Sequence, residues 1–191
     1  MWNGRLNILI SLESPNLYTS PQPNPMKSED LKVIQEPLKK NYRTNPDAAL
    51  ITLKASSKTS EGITCKIETG KNIIEAGLHP ATGGDGLSIC SGDMLLESLA
   101  ACAGVTLKAV ATAIDFDLQE GIIRVEGDLD FRGTLAVDKS TPVGFKDIRL
   151  NFTIKTNEPK ERIDSLVKLT ERYCVVLQTL SKANHIGLSV V

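Results

Sequence analysis

A long run of mostly apolar residues between Asp93 and Asp115 restricts the possible folds of this chain more than any other feature. Only Glu97 and Lys108 are charged inside it, and Asp93 is a residue type that caps helix starts. A helix that is apolar nearly all round has to be buried on most of its sides. Because a small domain covers such a helix with difficulty, we expect a second copy of the chain to complete its cover.

Alternating apolar and polar residues on both sides of this helix are typical of strands with one buried face. A second helix is predicted from Pro159 onward, with Ile163 and Leu166 on its apolar side. This order of elements indicates an α+β fold, with a mostly antiparallel sheet and helices packed on one face. The predicted strands lie at residues 49–53, 63–67, 72–76, 123–131, 148–154 and 186–191, and a hairpin turn is predicted at 69–71.

The N-terminal part of the chain has a different composition. Four prolines lie among polar residues before residue 28, which favours extended backbone with little packing. We therefore interpret residues 1–28 as a flexible arm and residues 29–191 as a single domain. A short helix is expected to start at Ser28 and to be interrupted by Pro37.

Charge and hydropathy exclude several kinds of partner. The chain has 22 Lys and Arg residues against 23 Asp and Glu, so it lacks the basic surplus that is typical of nucleic-acid binding. The apolar run at residues 7–12 is too short to cross a membrane, and no secretory signal is recognisable. We therefore expect a cytoplasmic protein that binds neither nucleic acid nor membranes.

Four cysteines, at 65, 90, 102 and 174, form no C-x-x-C pair, which argues against a zinc ribbon or a thioredoxin-type motif. Cys65 alternates with isoleucines and is interpreted as a core residue, whereas Cys90 lies in a Gly/Ser loop and its role stays open. For Cys102 and Cys174, packing in the core is the simpler interpretation. To act as a nucleophile, Cys102 would have to be a thiolate, stabilised by a nearby cation or hydrogen-bond donor.

Two cysteine-containing segments, and the chain between them, resemble one known family. Residues 93–102, Asp-Met-Leu-Leu-Glu-Ser-Leu-Ala-Ala-Cys, resemble the central-helix motif of the OsmC-like family, which includes the organic hydroperoxide resistance (Ohr) proteins. Residues 171–176, Glu-Arg-Tyr-Cys-Val-Val, resemble the second-cysteine helix of that family. Residues 125–130 and 142–145 also resemble parts of it, and the resemblance extends over residues 48–191.

The resemblance implies an intertwined homodimer, with the two central helices packed together and two active sites at the subunit interface. Cys102 would attack the O–O bond of a hydroperoxide, and Cys174 would resolve the resulting sulfenic acid as a disulfide. An external thiol or a lipoyl group would then reduce the disulfide. No metal and no organic prosthetic group is required.

This chain departs from the family pattern around the first cysteine. Peroxidatic members carry a glutamate ten residues before that cysteine, which helps to hold an activating arginine. Here Gly92 takes that place, and Asp93 follows it as the candidate replacement. No arginine lies between Arg43 and Cys102, so His79 is the best-placed substitute by chain order.

Besides His79, Arg43 and Arg172 are candidates for the cation that would activate the first cysteine. The second motif contains a further departure from the family pattern. The second motif reads Cys-Val-Val at residues 174–176, where many family members have Cys-Pro. We expect this difference to alter the start of the helix at that position.

Three functional hypotheses follow. The first is a thiol-dependent peroxidase that uses Cys102 and Cys174 and favours bulky organic hydroperoxides, because the helix around Cys102 is apolar. The alternative is a non-catalytic OsmC-like protein that binds a small apolar ligand or a partner at the dimer cleft. A third hypothesis is a zinc site formed by Cys65, His79 and Cys90, whose ligand spacing nothing in the sequence fixes.

Overall fold

The structure is a computed structural model that describes residues 26–50, 52, 56–59, 64–68 and 73–190. Most of the predicted N-terminal arm and the predicted turn at 69–71 lie outside these residues. In the described part, the helices are α1 (Ser28–Thr44), α2 (Ser91–Ala113), α3 (Phe131–Thr134), α4 (Lys160–Tyr173) and α5 (Val175–Leu180). The strands are β1 (Ser56–Thr59), β2 (Thr64–Glu68), β3 (Ile73–Gly77), β4 (Ile89–Cys90), β5 (Glu120–Asp128) and β6 (Asp147–Lys155).

The described strands form two sheets rather than the one that the sequence predicted. The first sheet has the order β1-β2-β3-β4, and its pairs are antiparallel except for the short parallel pair of β3 with β4. The second sheet is the antiparallel pair of β5 and β6, which runs in register from Glu120 opposite Lys155 to Asp128 opposite Asp147. The α+β class and the mostly antiparallel pairing are therefore confirmed.

The predicted central helix is confirmed as α2, which packs against β5, α4 and α5. Its buried side chains recur every fourth residue, so they form one stripe along the helix: Leu99, Ala103, Leu107 and Ala111. The alternating apolar residues of β5 and β6 close the core from the other side, while their charged residues face outward. The predicted alternation in both strands is thus confirmed.

Within one chain, however, α2 is not covered all round. Val105 lies away from the buried stripe and is 73% exposed. By length and composition alone, α2 is also apolar enough to cross a membrane, and the same composition is found in core helices. Here its buried stripe packs on the strand pair and on α4, as a core helix does.

Helix α1 continues through Pro37, contrary to the predicted interruption. A proline inside a helix removes one N–H donor and leaves the carbonyl four residues earlier without its partner. That carbonyl belongs to Val33, whose residue is 74% exposed. Water can hydrate the freed carbonyl there, so the helix tolerates the proline.

The strand predicted at residues 49–53 is wrong where the structure describes it. Ala49 ends a 3-10 turn that begins at Pro46, because the fixed φ of proline suits the first position of a helical turn. Leu50 is exposed and donates its N–H to the carbonyl of Asp47 at 3.1 Å, which closes the turn. Residues 51 and 53 lie outside the described range.

The structure differs from two other strand predictions. Strand β5 stops at Asp128, because Asp130 caps the short helix α3 by accepting the N–H of Arg132 at 3.2 Å. Residues 186–190 alternate like a strand in sequence, but they have no regular secondary structure and are exposed, and no described strand of the same chain pairs with them. Pairing is what stabilises such a segment.

Candidate active site

Two cysteines that are distant in sequence lie together beside the central helix. Cys102 projects half-buried from α2, and Cys174 is fully buried at the junction of α4 and α5. Both are free thiols, they pack in one cluster, and each shifts the pKa of the other. The contact arises because α4 and α5 both pack against α2.

The second helix of the sequence analysis is broken at Cys174. The backbone of Cys174 is extended, with φ −72° and ψ 104°, so α4 ends before it and α5 starts after it. As the residue preceding α5, Cys174 is close to the first N–H groups of that helix, which have no partner inside the helix. The N–H groups of Leu177 and Val176 lie close enough to its sulfur to lower the pKa of the thiol.

Hydrogen bonds lower the pKa of the Cys102 thiol. Burial is the largest influence and favours the neutral thiol, yet the hydrogen bonds to the sulfur together outweigh it. The donors are the N–H of Val176, the thiol of Cys174, the hydroxyl of Thr106 and the N–H of Val175. The pKa of Cys102 therefore lies below its ordinary value, without a cation among these donors.

The pKa of Cys174 moves in the opposite direction. Burial is again the largest influence and raises it, and the negative charge of a Cys102 thiolate adds to the increase. The two N–H groups from α5 oppose this effect but do not overcome it. The pair therefore consists of one thiol that ionises easily and one that keeps its proton.

The surroundings of the pair are apolar. Cys102 packs with Leu99, Ala103 and Cys174, and the inward-facing side chains of β5 and β6 lie around them. In an environment of this kind, hydrogen bonds to a charged sulfur are stronger than in water. The chemistry available to the pair is thus that of a nucleophilic thiolate with a second thiol in contact.

His79 and Asp93, the other predicted site residues, lie together but in a different place. With Cys90 they line a cavity of about 330 Å³ at the start of α2. The ring of His79 stacks on Phe131 at 4.9 Å between centroids, and its Nδ1 accepts the N–H of Ala81. Asp93 and Cys102 are nine positions apart on α2, a rise of about 13 Å, so Asp93 does not touch Cys102 of the same chain. His79 is not among the groups that shift the pKa of Cys102.

Asp93 also does not cap the helix. Helix α2 begins at Ser91, two residues earlier than predicted, and Cys90 occupies the capping position without a side-chain hydrogen bond. Asp93 lies in the first turn, where a carboxylate interacts favourably with the helix dipole. The catalytic roles predicted for Asp93 and His79 stay predictions.

The two arginine candidates are engaged elsewhere in the chain. Arg43 pairs with Glu36 at 3.3 Å on the exposed side of α1. The guanidinium of Arg172 lies over the ring of Tyr173, 5.5 Å from its centroid. Neither is among the groups that influence the pKa of Cys102.

The structure provides no support for the zinc hypothesis in the part of the chain that it describes. Among those residues, no group of three or more His, Cys, Asp or Glu side chains is arranged to hold a metal ion. The side chain of Cys65 lies outside the description, so its assignment to the core stays a prediction.

Thr106 and the first amides of α5 are the site groups that the sequence reasoning missed. Thr106 follows Cys102 by four residues on the same helix, a spacing that places two side chains on one face. That spacing could have identified Thr106 from the sequence. No sequence pattern identifies the amides, because they lie near the sulfur only where the helix is broken at Cys174.

Replacing Thr106 with valine is expected to raise the pKa of Cys102. A hydrogen bond to a charged group contributes about 1.5 kcal/mol or more, which corresponds to about one pKa unit. Alkylation by iodoacetamide near neutral pH should therefore slow by about tenfold, and its rise with pH should move to higher pH. Thr112→Val is the matched control, because the Thr112 hydroxyl donates to the Lys108 carbonyl on the same helix.

Val175→Pro tests the amide contribution separately. Val175 is the first residue of α5, a position that accepts proline, and the extended backbone of Cys174 suits a residue that precedes proline. The variant removes one N–H donor to Cys102, so we expect a higher pKa in a folded protein. If both variants alkylate at the same rate as Thr112→Val, these donors do not set the pKa.

Comparison with solved structures finds the same fold at low identity. An OsmC-like protein from Mycoplasma pneumoniae aligns with a TM-score of 0.58 and 17% identity over 69% of this chain and 88% of that one. An organic hydroperoxide resistance protein from Legionella pneumophila aligns with a TM-score of 0.54 and 20% identity over 69% of this chain and 90% of that one. An organic hydroperoxide resistance protein from Elizabethkingia anophelis aligns with a TM-score of 0.55 and 14% identity over 68% of this chain and 87% of that one.

The search of curated proteins found no match. The family described as OsmC-like protein, in contrast, matches residues 84–189, which include α2, both strands of the second sheet and both cysteines of the pair. The match covers more than half of the chain and agrees with the fold. This protein therefore belongs to the OsmC-like family.

Proposed function

We propose that this protein is a thiol-dependent peroxidase that reduces organic hydroperoxides through Cys102 and Cys174. The observation that carries the proposal is the contact between two free thiols whose pKa values shift in opposite directions. A peroxidatic thiol has to ionise, whereas a resolving thiol can stay protonated until it is needed. Membership of a family that includes peroxidases is consistent with this division of roles.

In the first step, the thiolate of Cys102 attacks the O–O bond of the hydroperoxide. A sulfur–oxygen bond forms as the O–O bond breaks, and the displaced alkoxide takes up a proton and leaves as an alcohol. Cys102 is then a sulfenic acid, oxidised by two electrons. The N–H groups of Val175 and Val176 and the hydroxyl of Thr106 stabilise the thiolate before the attack.

In the second step, the sulfur of Cys174 attacks the sulfur of Cys102. A disulfide forms, and the sulfenic hydroxyl leaves as water with the proton of the Cys174 thiol. An external thiol or a lipoyl-type dithiol then reduces the disulfide and is itself oxidised. This cycle requires a reducing compartment, so we place it in the cytoplasm.

The apolar surroundings of Cys102 support an organic hydroperoxide as substrate. Val125 and Leu150, both half-buried, pack around the pair, and they would bind the alkyl or aryl group of such a peroxide. Hydrogen peroxide has no apolar part with which to use this surface. We therefore expect cumene hydroperoxide to react faster than hydrogen peroxide.

A homodimer is part of the proposal, because α2 and the C-terminal segment expose apolar residues in a single chain. Val105 on α2 is exposed, as are Ile186, Leu188 and Val190 near the C-terminus. A second copy would cover these residues, and for α2 the sequence led to the same expectation. Exposed apolar surface of this kind is common at interfaces between subunits.

Mapping of disulfides after one turnover tests the proposed function. Reduced protein treated with one equivalent of cumene hydroperoxide should form a Cys102–Cys174 disulfide, identified by mass spectrometry of the peptides. The Cys90→Ser variant is the matched control and should form the same bond, since Cys90 lies apart from the pair. In Cys174→Ser, dimedone should instead trap a sulfenic acid at Cys102.

The alternative, a non-catalytic protein that binds a small apolar ligand or a partner, is favoured by one observation. Among the described residues, no charged side chain hydrogen-bonds to Cys102. If Cys102 remains reduced in the presence of cumene hydroperoxide, and no disulfide forms, the peroxidase proposal is wrong and this alternative takes its place.

A further inference from the structure

One side chain crosses the break between α4 and α5. The side-chain Nε2 of Gln178, on α5, donates to the backbone carbonyl of Glu171, on α4, at 3.0 Å. The backbone N–H of Gln178 donates to the carbonyl of Cys174 at 2.9 Å. Gln178 therefore makes one hydrogen bond to the last turn of α4 and another to the residue at which the helix is broken.

The carbonyl that Gln178 binds is the one that a continuous helix would assign to Val175. In an α-helix, each N–H donates to the carbonyl four residues earlier, and this pattern continues to Cys174, whose N–H donates to the Thr170 carbonyl at 2.9 Å. The next bond in the series would join the Val175 N–H to the Glu171 carbonyl. The extended backbone of Cys174, with ψ 104°, ends the series there. The donor to the Glu171 carbonyl is the Gln178 side chain instead.

This exchange of donors leaves two backbone amides available to the cysteine pair. The N–H groups of Val175 and Val176 both lower the pKa of Cys102. In a continuous helix each would be bound to a carbonyl of α4 and could not reach the sulfur. A carbonyl of α4 without a donor favours that continuous helix, because closing it would satisfy the carbonyl. A side chain that satisfies the Glu171 carbonyl therefore favours the broken form.

Other interactions of α5 act differently from that of Gln178. The Thr179 hydroxyl donates to the Val175 carbonyl at 2.8 Å, a bond that stays within α5. Val176 and Leu177 pack against the buried cluster that contains Cys174. Packing holds the side chains of α5 against the core, whereas Gln178 occupies the carbonyl that competes for the Val175 amide.

We propose that Gln178 is a positioning residue, which keeps the helix broken at Cys174 and so keeps the first amides of α5 directed at the cysteine pair. It acts through the backbone, because it occupies the Glu171 carbonyl and leaves the Val175 N–H free for the sulfur of Cys102. Its importance for peroxide reduction rests on the proposed function. Its effect on the ionisation of Cys102 is measured without peroxide.

Alkylation of Cys102 by iodoacetamide tests the proposal, followed across a range of pH by mass spectrometry of the peptide that contains Cys102. Gln178→Met keeps the size of the side chain but removes its donor, so the Glu171 carbonyl competes for the Val175 N–H. Near neutral pH, alkylation should slow by about fivefold, the factor that corresponds to one hydrogen bond, and it should regain the unaltered rate at high pH. Thr179→Val is the matched control, because it removes a bond that stays within α5, and it should leave the pH profile unchanged.

Val175→Pro provides a background in which the Gln178 side chain is not needed. Proline has no N–H to return to the Glu171 carbonyl, and it disfavours a helical backbone at the residue before it. Gln178→Met should therefore cause no further change when it is added to Val175→Pro. Gln178→Asn, whose amide is one methylene shorter and does not span the break, should slow alkylation in the unaltered background as Gln178→Met does.

Three results would overturn the proposal, with far-UV circular dichroism used to show that the variants are folded. The first is a pH profile that neither substitution of Gln178 changes, and the second is an equal change in Thr179→Val. The third is an undiminished effect of Gln178→Met in the Val175→Pro background. If alkylation changes as expected but cumene hydroperoxide forms no Cys102–Cys174 disulfide, the positioning role holds and the proposed peroxidase function is wrong.

Discussion

Replacing Cys102 with serine is expected to reduce hydroperoxide turnover by at least about a thousandfold. The serine hydroxyl does not ionise near neutral pH, so the donors around position 102 have no anion to stabilise. Turnover is measured as alcohol released from cumene hydroperoxide with excess dithiol present. Because serine is close to cysteine in size, the half-buried position should keep its packing, and the loss should be one of chemistry.

Cys174→Ser should affect the reaction in a different way. The first equivalent of peroxide should still be consumed at nearly the unaltered rate, since Cys102 keeps the N–H donors of Val175 and Val176. Later turnovers should slow, because the sulfenic acid has no thiol beside it. Cys90→Ser should leave both phases unchanged. If Cys102→Ser instead retains turnover, the reacting thiol lies elsewhere in the chain.

The periodicity of the sequence was sufficient to predict the helix that carries Cys102 and the two strands that pack against it. Helix α2 and the strands β5 and β6 were predicted from local patterns, and they were confirmed with shifts of a few residues at their ends. The α+β class followed from their order. The proximity of Cys102 and Cys174 came from the family resemblance, because they are 72 positions apart in the sequence and no local pattern links the two.

The groups that tune Cys102 were harder to predict, for a physical reason. The resemblance directed attention to charged side chains, and His79 and Arg172 were chosen because they carry charge or can acquire it. The structure uses neutral donors instead, and two of these are backbone amides that every residue except proline has. Their importance depends on the break at Cys174, which makes the amides available.

This use of amides also accounts for a departure from the family pattern. Where many members have Cys-Pro, this chain has valine after Cys174, and Val175 contributes an N–H that proline lacks. In a chain with no arginine between Arg43 and Cys102, Val175 thus adds a donor to the same sulfur. Amide donors carry no net charge, so the pKa of Cys102 should depend little on salt.

Leu107→Ala is expected to lower the free energy of unfolding by about 2–5 kcal/mol, the largest stability effect that we predict. Leu107 is 2% exposed and belongs to the cluster that joins α2 to α4. Its Cδ2 lies 2.9 Å from the place that a Cβ on Gly121 would occupy, so it packs directly against the backbone of β5. Urea denaturation should show a lower midpoint with an unchanged slope.

Val105→Ala, two residues away on the same helix, is the matched comparison and a test of the dimer. In a single chain, this exposed side chain should contribute less than about 0.5 kcal/mol. In the proposed dimer, a second copy covers Val105, so the denaturation midpoint should rise with protein concentration and Val105→Arg should abolish that dependence. A midpoint independent of concentration would contradict the dimer. Equal losses for Leu107→Ala and Val105→Ala at every concentration would contradict the packing of α2 on β5 and α4.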